Sequence, residues 1–157
     1  MNIDRELVEG ACTNAVKDVI ETMTGFNIDE HYKNDEEDHI STVEISGMMF
    51  IFGKRNAIFS LSMTKESAAT IVAYMTGIPP FELEDEDLYD GVAELVNMIT
   101  GRIKAQLINT EYYFDLTPPF TIVGKNHYIV HKSCVTNIFK KFIVENLEID
   151  LKVYYLD

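Results

Sequence analysis

The chain has 157 residues, 46% of them hydrophobic and 11% aromatic, which suits one domain with a sizeable core and excludes disorder. Its 13 basic residues stand against 26 acidic ones, a formal net charge of −13, so a phosphate-backbone partner is excluded and no nucleic acid is expected. The longest apolar runs are strand-sized, so no membrane insertion is expected and the protein reads as cytoplasmic.

Asp4 to Thr24 places Leu7, Ala11, Ala15, Val19, Ile20 and Met23 at helical spacing and ends at Gly25, a suitable C′ residue. This predicts a core-packing helix. Phe26 to Tyr32 alternates weakly, and Ile40 to Phe52 and Asn56 to Met63 read as strands around a hairpin turn at 53–56. Thr64 fits an N-cap before a shorter helix carrying Ala68, Ile71, Val72 and Met75, stopped by Gly77 and Pro79-Pro80.

Glu86 to Asn109 is predicted as a long central helix. After it, Tyr112 to Leu116, Phe120 to Val123, Tyr128 to Cys134, Ile138 to Val144 and Ile149 to Leu156 read as strands, with breaks at Pro118-Pro119, at 124–126 and at Glu145-Asn146. A helix leading into strands thus occurs twice, from Asp4 and from Glu86, as in a degenerate internal duplication. With no Gly/Ser-rich or Pro-rich linker between the halves, residues 1–157 form a single domain. The expected fold class is α/β of the α+β type, with helices packed on a mainly antiparallel sheet.

Acidic residues cluster at Asp29 to Asp38, a solvated loop, and at Glu82 to Asp90, where carboxylates favour the positive end of the following helix. Cys12 and Cys134 are far apart and in no CxxC pair, so both are expected as buried free thiols. His31, His39, His127 and His131 are read as structural, and no protein-bound metal is expected. His127 and His131, four apart on a predicted strand, point the same way. Tyr112, Tyr113 and Phe114 are expected in the strand core. No phosphate loop, nucleophile elbow or HExxH motif is present.

At about 100° per residue, Val92, Leu95, Val96, Ile99, Ile103 and Leu107 of the central helix share one stripe, the core side. Opposite them, Asp90, Glu94, Asn97 and Gly101 fall within roughly 60° of one another. The strip from Asp90 to Asn97 is about 10 Å long, enough to contact a protein surface and too short to close a pocket alone. A glycine inside a helix costs about 1 kcal/mol relative to alanine. Close approach of a partner backbone at Gly101, or close packing within the fold, would explain it.

The spacing Asp90-x3-Glu94-x2-Asn97, followed by Gly101 and later by Asp115, Thr117-Pro118-Pro119 and Val123-Gly124, resembles the CheC/CheX/FliY phosphatases, and the CheX branch in order and spacing. The resemblance implies a phosphatase acting on the aspartyl phosphate of a CheY-type response regulator receiver domain, without a covalent intermediate on this chain. It implies Glu94 and Asn97 as the catalytic pair: Asn97 orients the attacking water and Glu94 pairs with the regulator's active-site lysine. It also implies Asp90, Glu94 and Gly101 at the partner interface, with no cofactor bound by this chain and Mg²⁺ held by the receiver domain. A carboxamide suits the first role, since its oxygen accepts from water while its NH2 donates elsewhere and neither changes protonation. In the first helix Glu9 is followed three residues later by Cys12 rather than Asn, as in one-site CheX proteins, and a homodimer is implied with them. A different class of reading is a non-catalytic adaptor that uses the same helix to bind a receiver domain or a flagellar or chemoreceptor component.

Overall fold

The computed structural model describes residues 2–31 and 43–156. In chain order the elements are α1 (Arg5–Thr24), β1 (Ile28–His31), β2 (Ile45–Gly53), β3 (Ala57–Met63), α2 (Lys65–Thr76), a 3-10 turn (Pro80–Glu82), α3 (Asp85–Gln106), β4 (Phe114–Leu116), β5 (Phe120–Val123), β6 (Thr136–Val144) and β7 (Leu147–Tyr155).

The helices start and stop where the side chains supply or remove hydrogen bonds. Asp4 caps α1 by accepting from the Leu7 N–H at 3.1 Å, and Gly25 ends it at φ 73°. Thr64 accepts from the Ser67 N–H at 3.1 Å to open α2, and Gly77 closes it at φ 75°. In both exits the glycine takes the left-handed conformation that a Cβ disfavours. At the start of α3 the Glu84 N–H donates to Asp87 Oδ2 at 3.1 Å, and Asp85, Glu86 and Asp87 fill the first turn, complementing the helix dipole. The helix ends earlier than its pattern predicts. The Leu107 N–H is shared between the Ile103 and Lys104 carbonyls, tightening the last turn, and Asn109 then turns left-handed at φ 64°.

All pairings in the seven-stranded sheet are antiparallel. The order is β1-β6-β7-β3-β2-β4, and β5 also pairs with β2, further along it. The β2–β3 and β6–β7 hairpins meet at β3 and β7. Each hairpin is edged by short strands from the other half of the chain: β1 lies against β6, and β4 and β5 lie against β2. The duplicated helix-then-strands pattern therefore folds as one interlocked sheet.

Alternate residues of the central strands, Ile45, Met49, Ile51, Phe59, Leu61, Leu151 and Val153, meet the helices in one buried core. All six apolar-stripe residues of the central helix are fully buried. Two glycines set how closely α3 sits. A Cβ on Gly91 would come 2.5 Å from Val72 Cγ1 of α2, and one on Gly47 would come 2.9 Å from Val96 Cγ1, so neither position admits a side chain unless its neighbour moves.

Several expectations are corrected. Residues 128–134 form no strand; their first part lies over the outer face of the sheet, and they close with a turn at 133–134. Exposure still alternates there: His127, Ile129 and His131 are half-buried while Tyr128 and Val130 are exposed. Cys134, in that turn, is exposed rather than buried, whereas Cys12 is a buried free thiol. Of the aromatic trio, Tyr112 and Phe114 are buried and Tyr113 is exposed, with Lys104 Nζ over its ring at 5.1 Å. The strand predicted from Ile40 begins at Ile45. Residues 40–42, His39 and most of the Asp29 to Asp38 cluster lie outside the described residues. Among the described residues no helix is long and apolar enough to cross a membrane.

Candidate functional site

The core stripe of α3 fixes which side of the helix faces outward. With Val92, Val96, Ile99 and Ile103 buried on the sheet and α1, the side chains of Asp90 and Glu94 are exposed, and Asn97 and Gly101 are half-buried on the same strip. No hydrogen bond or ion pair ties the side chain of Asp90, Glu94 or Asn97 to another described residue. A carboxylate and a carboxamide three residues apart on a helix lie on neighbouring positions of one face. Both are held on rigid backbone with their polar atoms available, as a site that must position a water or engage a charged partner requires.

Gly101 ends the strip in a shallow depression of about 230 Å³ between α1 and α3, lined by Asp18, Val19, Thr22, Met23, Met98 and Arg102 as well. A Cβ on Gly101 would meet nothing within 4 Å, so close packing inside the fold does not account for this glycine. Beside it, Arg102 Nε pairs with Asp18 Oδ2 at 3.0 Å, linking α1 to α3 where both side chains are half-exposed. Sequence reading assigns α1 only to the core and so misses this wall. The available signal is weak: Met23 and Met98 are flexible apolar side chains at the margins of their helical stripes, and only the fold shows that the margins meet.

The corresponding face of α1 is differently used. Glu9 Oε2 lies 3.3 Å from Lys140 Nζ and its Oε1 lies 3.4 Å from Arg5 Nη1, which gives that glutamate a structural partner on β6. The Thr117-Pro118-Pro119 segment is also structural. Thr117 Oγ1 donates to the Phe50 carbonyl at 2.8 Å and accepts from the Phe50 N–H at 3.1 Å. It thereby fills the ladder position between β4 and β5, where proline cannot donate. Beyond it, Thr121 Oγ1 of β5 donates to the Tyr89 carbonyl at 3.1 Å, tying the strand to the first half of α3.

Two surface charges near the end of α3 have shifted proton affinities. The hydrogen bond from Lys104 to Asp115 at 3.3 Å holds the ammonium above its usual range, and that from Arg55 to Glu111 holds the carboxyl below its own. Among the described residues, no group of three or more His, Cys, Asp and Glu side chains is placed to hold a metal ion.

No curated protein matches the chain. Among solved structures, it superposes with a TM-score of 0.83 on a CheC-like superfamily protein from Shewanella sp. PV-4, at 26% identity over 100% of both chains. It superposes equally, with a TM-score of 0.83, on chemotaxis protein CheX from Vibrio vulnificus, at 22% identity over 99% of this chain and 100% of that one. A third similar structure is the CheX-CheY-BeF3-Mg²⁺ complex from Borrelia burgdorferi, at 19% identity, a TM-score of 0.75, and 96% and 98% coverage. Residues 45–142, which run from the start of β2 through α3 and into β6, match the family model for chemotaxis phosphatase CheX. With that match over most of the sheet and the whole of its central helix, the chain belongs to the CheX family of chemotaxis phosphatases.

Proposed function

We propose that this protein hydrolyses the aspartyl phosphate of a CheY-type response regulator receiver domain and that α3 is the element it presents to that partner. The observation that carries the proposal is the pair of exposed Glu94 and half-buried Asn97, their side chains unengaged on the outward side of α3, in a chain of the CheX phosphatase family. The Borrelia burgdorferi relative, whose structure is a complex with CheY, supports the choice of partner.

In this reading the Asn97 carboxamide oxygen accepts a hydrogen bond from the attacking water and holds it in line with the phosphorus to aspartyl oxygen bond. Water oxygen bonds to phosphorus, the aspartyl carboxylate leaves with the electron pair, and inorganic phosphate is released. Positioning and charge placement are the main demands of such a transfer, and a carboxamide meets the first without titrating. Glu94 receives the receiver domain's lysine, setting register between the two proteins. Asp90 extends the acidic strip, and Gly101 lets a partner backbone approach beside Met98. Mg²⁺ belongs to the receiver domain, with no cofactor on this chain. The working form is a cytoplasmic homodimer with one such site per protomer.

The test is the decay of a phosphorylated CheY-type receiver domain with Mg²⁺, alone and with substoichiometric amounts of wild type or Asn97→Ala. Multiple-turnover acceleration by wild type and loss of it in the variant supports the proposal. Stoichiometric binding without turnover would replace it with the adaptor.

A further inference from the structure

The strip from Asp90 to Asn97 is too small to hold a protein by itself. A stable complex covers about 800 Å² on each partner, so a receiver domain seated over Glu94 and Asn97 must also cover ground beside α3. The two flanks differ. On one, Lys104 Nζ pairs with Asp115 Oδ1 at 3.3 Å and lies over the Tyr113 ring, so those charges are already matched. On the other is the depression between α1 and α3, and it begins one residue past Asn97, at Met98.

Helix direction decides what stands next to Asn97. Arg102 pairs with Asp18, and Gln106 Nε2 donates to the Ala11 carbonyl at 3.4 Å, so α1 and α3 run antiparallel. Thr22 and Met23, in the last turn of α1, therefore flank the Asn97 end of the depression, and the Arg102–Asp18 pair closes the far end. The walls between are apolar. Val19 is buried, and Met23 and Met98 are half-buried with one side against the core; unbranched thioether side chains of this kind reshape around what they meet. The floor is Gly101. A helical glycine is less stable than alanine, and a Cβ at this position would meet nothing within 4 Å, so packing among the described residues does not offset the loss. What the missing side chain does is keep the depression open and let another backbone come close enough to seat a side chain in it.

On the phosphatase reading, on which this inference rests, we propose that the depression is the socket for an apolar side chain standing beside the phosphorylation site of the receiver domain, and that Thr22 and Met23 of α1 set which receiver domains fit. An apolar anchor in a pocket close to the reacting groups is the usual source of interface energy, and the depression of about 230 Å³ is continuous with the strip that carries Glu94 and Asn97. These α1 residues touch no reacting atom, so they act on affinity and leave the chemical step alone.

The test is initial-rate kinetics over a range of concentrations of a phosphorylated CheY-type receiver domain with Mg²⁺, giving kcat and KM separately. Met23→Gln keeps the length of the wall and makes it polar, and should raise KM about fivefold or more. Thr22→Trp fills the socket from an exposed position and should raise KM about tenfold or more. Both should keep kcat within about twofold, whereas Asn97→Ala loses kcat. Glu6→Trp, about 24 Å back along α1 and on another side of it, should change neither. Truncating the exposed apolar residues around the receiver's phosphorylation site to alanine, singly, identifies the occupant: one truncation should raise KM about fivefold or more with wild type and less than about twofold with Met23→Gln. Normal turnover with KM unchanged in both α1 variants, or full additivity of every truncation with Met23→Gln, would overturn the socket and leave the phosphatase reading standing. No turnover by wild type would overturn that reading and the socket with it.

Discussion

Val96 of α3 sits against Gly47 of β2 so closely that a Cβ on Gly47 would lie 2.9 Å from Val96 Cγ1 and 3.0 Å from the Val92 carbonyl oxygen. The helix bearing Glu94 and Asn97 is therefore seated on backbone. Gly47→Ala is expected to lower stability by about 1–3 kcal/mol through overpacking, read as a melting midpoint several degrees lower. Receiver-domain turnover should fall as α3 lifts. Gly10→Ala on α1, where a Cβ meets nothing within 4 Å, is the control and should not lower the midpoint.

Gly101→Ala should behave in the opposite sense. Its Cβ enters open space in the middle of a helix, so stability should rise by about 0.5–1 kcal/mol. The added methyl stands where we place the partner backbone, so dissociation from the phosphorylated receiver domain should quicken. A more stable variant with unchanged binding would remove Gly101 from the interface.

Asn97 and Glu94 should separate turnover from affinity. Asn97→Ala is expected to reduce turnover by about 10²-fold or more, the usual cost of losing one positioning group, with binding altered by less than about threefold. Glu94→Gln should weaken binding and flatten its dependence on salt, because one interfacial charge pair is gone. Stopped-flow decay and binding titrations over a range of ionic strength distinguish the two.

At the other end of the pH scale, burial pushes the Tyr155 hydroxyl well above its ordinary value of 10. The unfolded chain then loses that proton before the native one does. Stability conferred by the neutral phenol is complete below pH 10 and declines as pH rises above it toward the folded-state value. In Tyr155→Phe, the slope of stability against pH in that range should be shallower by about one proton per chain, measured by denaturant unfolding at several alkaline pH values.

Much of this was legible in the sequence because the helices carry their own punctuation. Asp4 and Gly25 bracket α1, Thr64 and Gly77 bracket α2, and the apolar stripe of α3 needed only its 3.6-residue period. The strip of Asp90, Glu94, Asn97 and Gly101 followed from the same count. What alternation could not supply was the partner of each strand. Residues 128–134 alternate like a strand, yet they lie over the sheet face and form no ladder, which is why Cys134 is exposed. Thr117 reads as part of a break but acts as a splice, because its hydroxyl both donates to and accepts from Phe50. The depression beside Gly101 depends on side chains from two helices more than 70 positions apart and has no local signature.

The exchange of edge strands between the two halves has a further consequence for how the molecule can come apart. The β2–β3 hairpin keeps its outer hydrogen bonds only while β4 and β5 from the second half are in place, and β6 keeps its own only while β1 from the first half is. Cutting the chain between α2 and α3 would leave each piece with an exposed strand edge and without the packing of α3 on α1 and α2, so neither fragment should persist alone, and the two should complement when mixed. A half of this fold cannot stand as a domain of its own, because each half completes the other's sheet.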